Sequence, residues 1–121
     1  MYQPNKILKL LCPAVYNIPT AGHNVYLTFD DGPCAETTPI ILDILRKHNV
    51  KATFFCVGDN ILKHPELFAQ IKAEGHQVGN HTMHHSKGFY TNTNDYINEI
   101  DECAMPFIHC MHQIEIYVIG L

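Results

Sequence analysis

Val25-Tyr26-Leu27-Thr28-Phe29-Asp30-Asp31-Gly32-Pro33 is the stretch on which the reading turns. Residues 25–29 form a β-branched and aromatic run, which ends abruptly in Asp30-Asp31-Gly32-Pro33 and so predicts a strand followed by a tight turn. A helix should follow. Thr38 is placed to cap it, Pro39 suits its first position, Ile41, Ile44, Leu45 and His48 fall on one face, and Asn49 ends it. Residues 52–57 read as a second apolar strand closed by Gly58-Asp59. A second helix starts near Pro65, turns Leu67, Phe68 and Ile71 inward and stops at Gly75. Residues 76–79 make a short third strand that leads into a histidine cluster, and Thr93 or Asn94 opens a third helix with Ile97, Ile100 and Ala104 at helical spacing. Strands alternating with helices argue for a parallel α/β architecture. Both polar clusters follow strands, and that end of the strands is where α/β folds bind ligands.

Composition narrows the function. A chain of 121 residues fits one domain, and 46% hydrophobic with 17% charged residues describes a folded rather than a disordered chain. A formal charge of −4 supplies no basic face for nucleic acid and no polybasic patch for lipid. The nine histidines, several of them clustered, point to metal chemistry. The five cysteines (Cys12, Cys34, Cys56, Cys103, Cys110) are odd in number and form no C-x-x-C pair, so they suggest buried thiols or a reducing compartment, with Cys56 in the core. No apolar run approaches the ~18 residues of a membrane span. Residues 7–15 are moderately apolar after Lys6, but Lys9 interrupts them, Pro13 follows and no small-residue cleavage site closes them. That stretch gives no clear export signal, so the expectation is a cytoplasmic or non-classically exported protein whose residues 1–23 form an N-terminal arm.

Two clusters carry the chemistry. Asp30 and Asp31 are adjacent on an extended strand end, where alternation points their side chains in different directions. One can hold a metal while the other accepts a proton. Taken alone, Asp-Gly and Gly-Pro are also ordinary loop punctuation. The second cluster is Gly79-Asn80-His81-Thr82-Met83-His84-His85. His81 and His85 are four residues apart, which one helical turn would bring to one face; His84 is three from His81, and spacing does not exclude it. Two imidazoles and one carboxylate make an open site that leaves positions for water and substrate.

With these residues in view, the chain resembles a known family. Thr28-Phe29-Asp30-Asp31-Gly32-Pro33 is similar to the first motif of NodB-type polysaccharide deacetylases (carbohydrate esterase family four), and His81-Thr82-Met83-His84-His85 is similar to the second, H-[S/T]-x-x-H. Lys51-Ala52-Thr53-Phe54-Phe55 and Glu74-Gly75-His76-Gln77-Val78-Gly79-Asn80 share the family's character, so the resemblance covers residues 24–104. It implies a partial (β/α) barrel with parallel strands and helices outside. It also implies Asp31, His81 and His85 as ligands of one divalent ion, zinc first with cobalt or another transition metal as alternatives, and Asp30 as catalytic base. Thr82 is then expected to brace the loop through its hydroxyl. The implied reaction removes N-acetyl or O-acetyl groups from a polysaccharide or oligosaccharide.

The family's later motifs are missing. The sequence has no Arg-x-Pro segment, no Asp-x-x-Asp-aromatic motif and no terminal Leu-x-His. The pattern is lost in residues 105–121, where Ile114, Ile116 and Val118 alternate as in a strand, and His109, Cys110 and His112 with Cys103 match no closed zinc signature. This reads as an atypical tail on a product truncated or frame-shifted after about the third β/α unit. A half barrel would leave a sheet edge unpaired, which invites self-association. Activity should accordingly be weak or nil, and the alternative is a non-catalytic metal- or sugar-binding remnant.

Overall fold

The computed structural model describes residues 24–119, with side chains through His109. The elements are β1 (Thr28–Gly32), α1 (Thr38–Lys47), β2 (Thr53–Cys56), α2 (Gly58–Lys63), α3 (Pro65–Ala73), β3 (Gln77–Asn80) and α4 (Thr93–Ile119). The three strands form one parallel sheet in the order β1-β2-β3. This is the N-terminal part of the barrel expected from the resemblance. The arm at residues 1–23 lies outside the described residues.

Helix ends follow local backbone chemistry. Asn49 leaves α1 at φ 51°, Asn49 N–H reaches the Arg46 carbonyl, and Val50 N–H reaches that of Leu45. Gly75 does the same for α3 at φ 77°, with His76 N–H on the Ile71 carbonyl. Both are left-handed caps that satisfy the last carbonyls of a helix, and glycine or asparagine enters that region at least strain. The start of α1 differs from expectation. Thr37 is the flanking residue, and the Thr38 hydroxyl instead accepts Cys34 N–H at 2.9 Å, which folds the loop after β1 back onto the helix.

The core lies between the helices and one face of the sheet. Leu42 and Leu45 of α1, Ile61 of α2, and Phe68 and Ile71 of α3 pack with Ala52, Phe54 and Cys56. Burial pushes the Cys56 thiol up to about 12, with neighbouring Cys103 adding to the effect, so it fills space as a neutral side chain. The inner face of α3 matches the sequence reading. That of α1 is rotated: Leu42 is fully buried while Ile44 is 54% exposed. With Ile40, Ile41, Leu42, Ile44 and Leu45 all apolar, the stripe is too wide for periodicity to choose its centre, and packing against Phe54 decides it.

Two further expectations are corrected. Gly58-Asp59 does not close a strand into a loop but begins the short helix α2. The strand expected around Ile114, Ile116 and Val118 is absent, since α4 continues as helix to Ile119. Among the described side chains of α4 (through His109) Cys103 and Pro106 are buried, and Phe107 packs edge-on against Phe68 at 5.1 Å, whereas Ile97 and Ile100 are exposed. Pro106 removes one helical hydrogen bond but lies on the face that packs inward. No helix among the described residues is long and apolar enough to cross a membrane.

His76, immediately before β3, is buried at 5% exposure, with Nδ1 accepting Ala52 N–H. Burial first, then the positive charge of Lys51, lowers its pKa, and Glu74 opposes them. A histidine held neutral in the fold binds its proton earlier in the unfolded chain. Its stabilising contribution is therefore full above the unfolded value of about 6.5 and is lost as pH falls through the lower folded value. Urea unfolding against pH should show stability declining below about pH 6.5, and His76→Phe should flatten that decline. The same assay tests the core: Leu42→Ala should lose about 2–5 kcal/mol and Ile44→Ala no more than about 0.5 kcal/mol.

Candidate metal centre

The register between β1 and β2 sets the acidic half of the site. Phe29 pairs with Phe54 and Gly32 with Cys56, so β1 takes three steps where β2 takes two. The extra residue is a bulge at Asp30-Asp31, and Asp31 absorbs it at φ 68°. The two carboxylates are therefore separated by a bulge, where the sequence suggested simple strand alternation. Gly32 carbonyl accepts Val57 N–H at 2.9 Å, which returns β1 to the sheet beyond the bulge.

The histidine half leaves β3 through a turn held on every side. His81 N–H bonds the Cys56 carbonyl. The Asn80 side chain accepts Thr82 N–H and donates to the Ile100 carbonyl, tying the turn to α4. Thr82, buried and at φ 65°, accepts Ser86 N–H on its hydroxyl at 2.9 Å, as a loop brace would. The first N–H groups of α2, from Gly58 and Asp59, donate to the Thr82 and Met83 carbonyls. A Cβ on Gly58 would lie 2.3 Å from Met83 Sδ and 3.1 Å from its Cα, so any larger residue would make Met83 shift.

These two halves meet at the C-terminal end of the strands. Asp31 Oδ1 is 3.1 Å from His81 Nε2 and 3.0 Å from His85 Nε2, and the three donor atoms all lie within 4.8 Å of one another. It is the one such cluster among the described residues. His84 is excluded: its Nδ1 bonds Asp59 at 2.9 Å, a contact that raises its pKa, and its N–H bonds Glu99. Asp30 lines a cavity of about 190 Å³ beside Asp31, together with Cys34, Thr37 and Ile41.

A family model described as polysaccharide deacetylase matches residues 17–117. The chain belongs to that family. The match runs past Met105, to within the tail that the sequence pattern had set apart. The chain is 53% identical over 76 residues to a peptidoglycan-N-acetylglucosamine deacetylase of Bacillus cereus, covering 63% of this chain and 28% of the relative. It is 55% identical over 62 residues to a chitooligosaccharide deacetylase of Rhizobium leguminosarum bv. trifolii, covering 51% of this chain and 29% of that one. Among solved structures it resembles the peptidoglycan deacetylase PdaC from Bacillus subtilis with a TM-score of 0.68 and 34% identity, over 70% of this chain and 42% of that one. The chain thus spans under a third of the length of these two curated relatives.

Sequence reasoning found every member of the cluster but missed what aligns them. Asn60, whose side-chain Nδ2 donates to the Asp31 carbonyl at 2.8 Å, gave no signal because α2 itself went unread. Cys34 also lines the cavity, and hydrogen bonds from the Glu36 backbone and then Thr37 lower its pKa. The brace at Thr82 can be tested directly. Thr82→Val keeps the shape but leaves Ser86 N–H unpaired, and urea unfolding should show a loss of about 1–3 kcal/mol.

Proposed function

We propose that this chain carries the metal-holding part of a hydrolase that removes acetyl groups, chiefly N-acetyl, from a glycan built on N-acetylglucosamine. The observation that carries this reading is the convergence of one Asp31 oxygen with the Nε2 atoms of His81 and His85 at 3.1 and 3.0 Å. Two imidazole nitrogens and a carboxylate oxygen suit a zinc-like cation, with cobalt or another transition metal as alternatives. Asp31 Oδ1 lies within bonding reach of both imidazoles, and the three donor atoms lie within 4.8 Å of one another, so these residues would fit around one cation. When bound there, a divalent cation supplies Lewis acidity and brings the pKa of a water toward ~7.

The chain's own residues then divide the work. His81 and His85 bind through Nε2, and Asp31 adds the negative charge that favours a cation. Asp30, which lines a cavity with Asp31, would accept a proton from water as that water attacks an acetamide carbonyl, the acetyl group leaving as acetate and the freed amine taking up a proton. The substrate class comes from the relatives, whose names specify peptidoglycan N-acetylglucosamine and chitooligosaccharide.

A second reading, a metal- or sugar-binding module with weak or no turnover, is favoured by one observation. Arg46 is the single arginine in the sequence, and it is engaged with Asp43 and Glu74 at the opposite end of the strands. Arg46 is therefore not the group that would orient Asp30, and residues 1–121 contain no Leu-x-His. An open edge on β1 or β3, each paired on one side among the described residues, also fits self-association.

Titration with zinc or cobalt should show one equivalent bound. Zinc at 100 times its Kd should raise stability by about 2.7 kcal/mol, and a chelator should reverse the gain. Asp31→Ala and His81→Ala should each abolish that gain. Wild-type protein that folds correctly yet takes up no metal would exclude the reading. Acetate release from acetylated chitooligosaccharide separates the two forms of it: turnover supports the hydrolase, and metal uptake without turnover the binding module.

A further inference from the structure

We infer that Asn60 is a positioning residue that fixes the Asp31 carboxylate against the two histidines. This rests on the metal-binding reading above. A bulged residue lies outside the regular ladder, and Asp31 is also held in the left-handed region at φ 68°. Its backbone carbonyl needs a donor from elsewhere. The Asn60 carboxamide provides one at 2.8 Å from 29 positions away in sequence.

Asn60 is well placed because α2 touches both halves of the cluster. Two residues earlier, Gly58 N–H holds the Thr82 carbonyl, and Asp59 N–H holds that of Met83, inside the segment that carries His81 and His85. Asn60 is itself anchored, its N–H on the Val57 carbonyl and its carbonyl accepting His64 N–H. One turn of helix thus references the acid-bearing bulge to the imidazole-bearing loop. Without the Asn60 donor, Asp31 is free to relax toward a less strained backbone, and its carboxylate leaves the histidines.

Cobalt(II) binding to the full chain tests this, because its visible absorption reports coordination as well as affinity. Asn60→Ala and the near-isosteric Asn60→Leu should bind cobalt about 10–100-fold more weakly, the range seen when a group supporting a ligand is removed. Their absorption bands should change in shape and intensity. Asn60→Gln, which keeps a carboxamide donor, should bind more tightly than Asn60→Ala. Far-UV circular dichroism of the metal-free variants should match wild type. A lower melting temperature with unchanged cobalt affinity and spectrum would mean a merely structural role and overturn the inference. Failure of the wild type to take up cobalt would remove the metal reading itself, and this inference with it.

Discussion

One residue too many in β1 governs the site. Between Phe29 and Gly32 the first strand carries an extra residue relative to its neighbour, and the sheet resumes only because Gly32 and Val57 re-engage. In a regular strand the pleat dictates where each side chain goes. The bulge frees Asp31 from that rule and turns its carboxylate toward β3, across the width of the sheet. Aspartate tolerates the left-handed region better than most side chains, but the conformation still carries a penalty. Thr82 and His85 also have positive φ, at 65° and 59°. Three such residues at about 1–3 kcal/mol each are concentrated around one cluster, and they persist only where the surroundings over-determine them.

That over-determination comes largely from α2. A helix N-terminus presents unpaired N–H groups, and here those of Gly58 and Asp59 are used by the Thr82 and Met83 carbonyls. The Asp59 carboxylate takes His84, while Glu99 of α4 accepts Met83 N–H on its carbonyl and His84 N–H on its side chain. The histidine loop is thereby held from below by α2 and from the side by α4. His84 faces out of the cluster because of this arrangement, which leaves the first and last histidines of the motif to face Asp31.

The sequence made legible whatever depends on local identity. Asn49 and Gly75 end helices because of what their backbones tolerate, and Leu67, Phe68 and Ile71 face inward because α3 offers no competing stripe. The acidic turn and the histidine pair were readable as candidate ligands because few residue types bind cations and both clusters follow strands. What was illegible depends on tertiary choice. In α1 several adjacent apolar residues left the buried face open, and Phe54 settled it in favour of Leu42. In α4 the periodic Ile97 and Ile100 stay exposed, while Cys103 is drawn in beside Gly58 and Cys56 and Phe107 onto Phe68. A six-residue helix such as α2 carries too little period to announce itself, so the hydrogen bond from Asn60 to Asp31 went with it.

The candidate cluster and the single arginine lie at opposite ends of the sheet. The three cluster residues come from two strand ends within one three-stranded sheet, and the hydrogen bonds that shape them involve β1, β2, β3, α2, α4 and the loop after β3 itself. The convergence of the three side chains therefore draws on no further strand among the described residues. Turnover asks more, since a base must be oriented and a leaving group protonated. Arg46 does neither, because Asp43 and Glu74 fix it beside Lys51 and His76 at the other end of the sheet. The candidate cluster is thus shaped by contacts separate from those that hold Arg46.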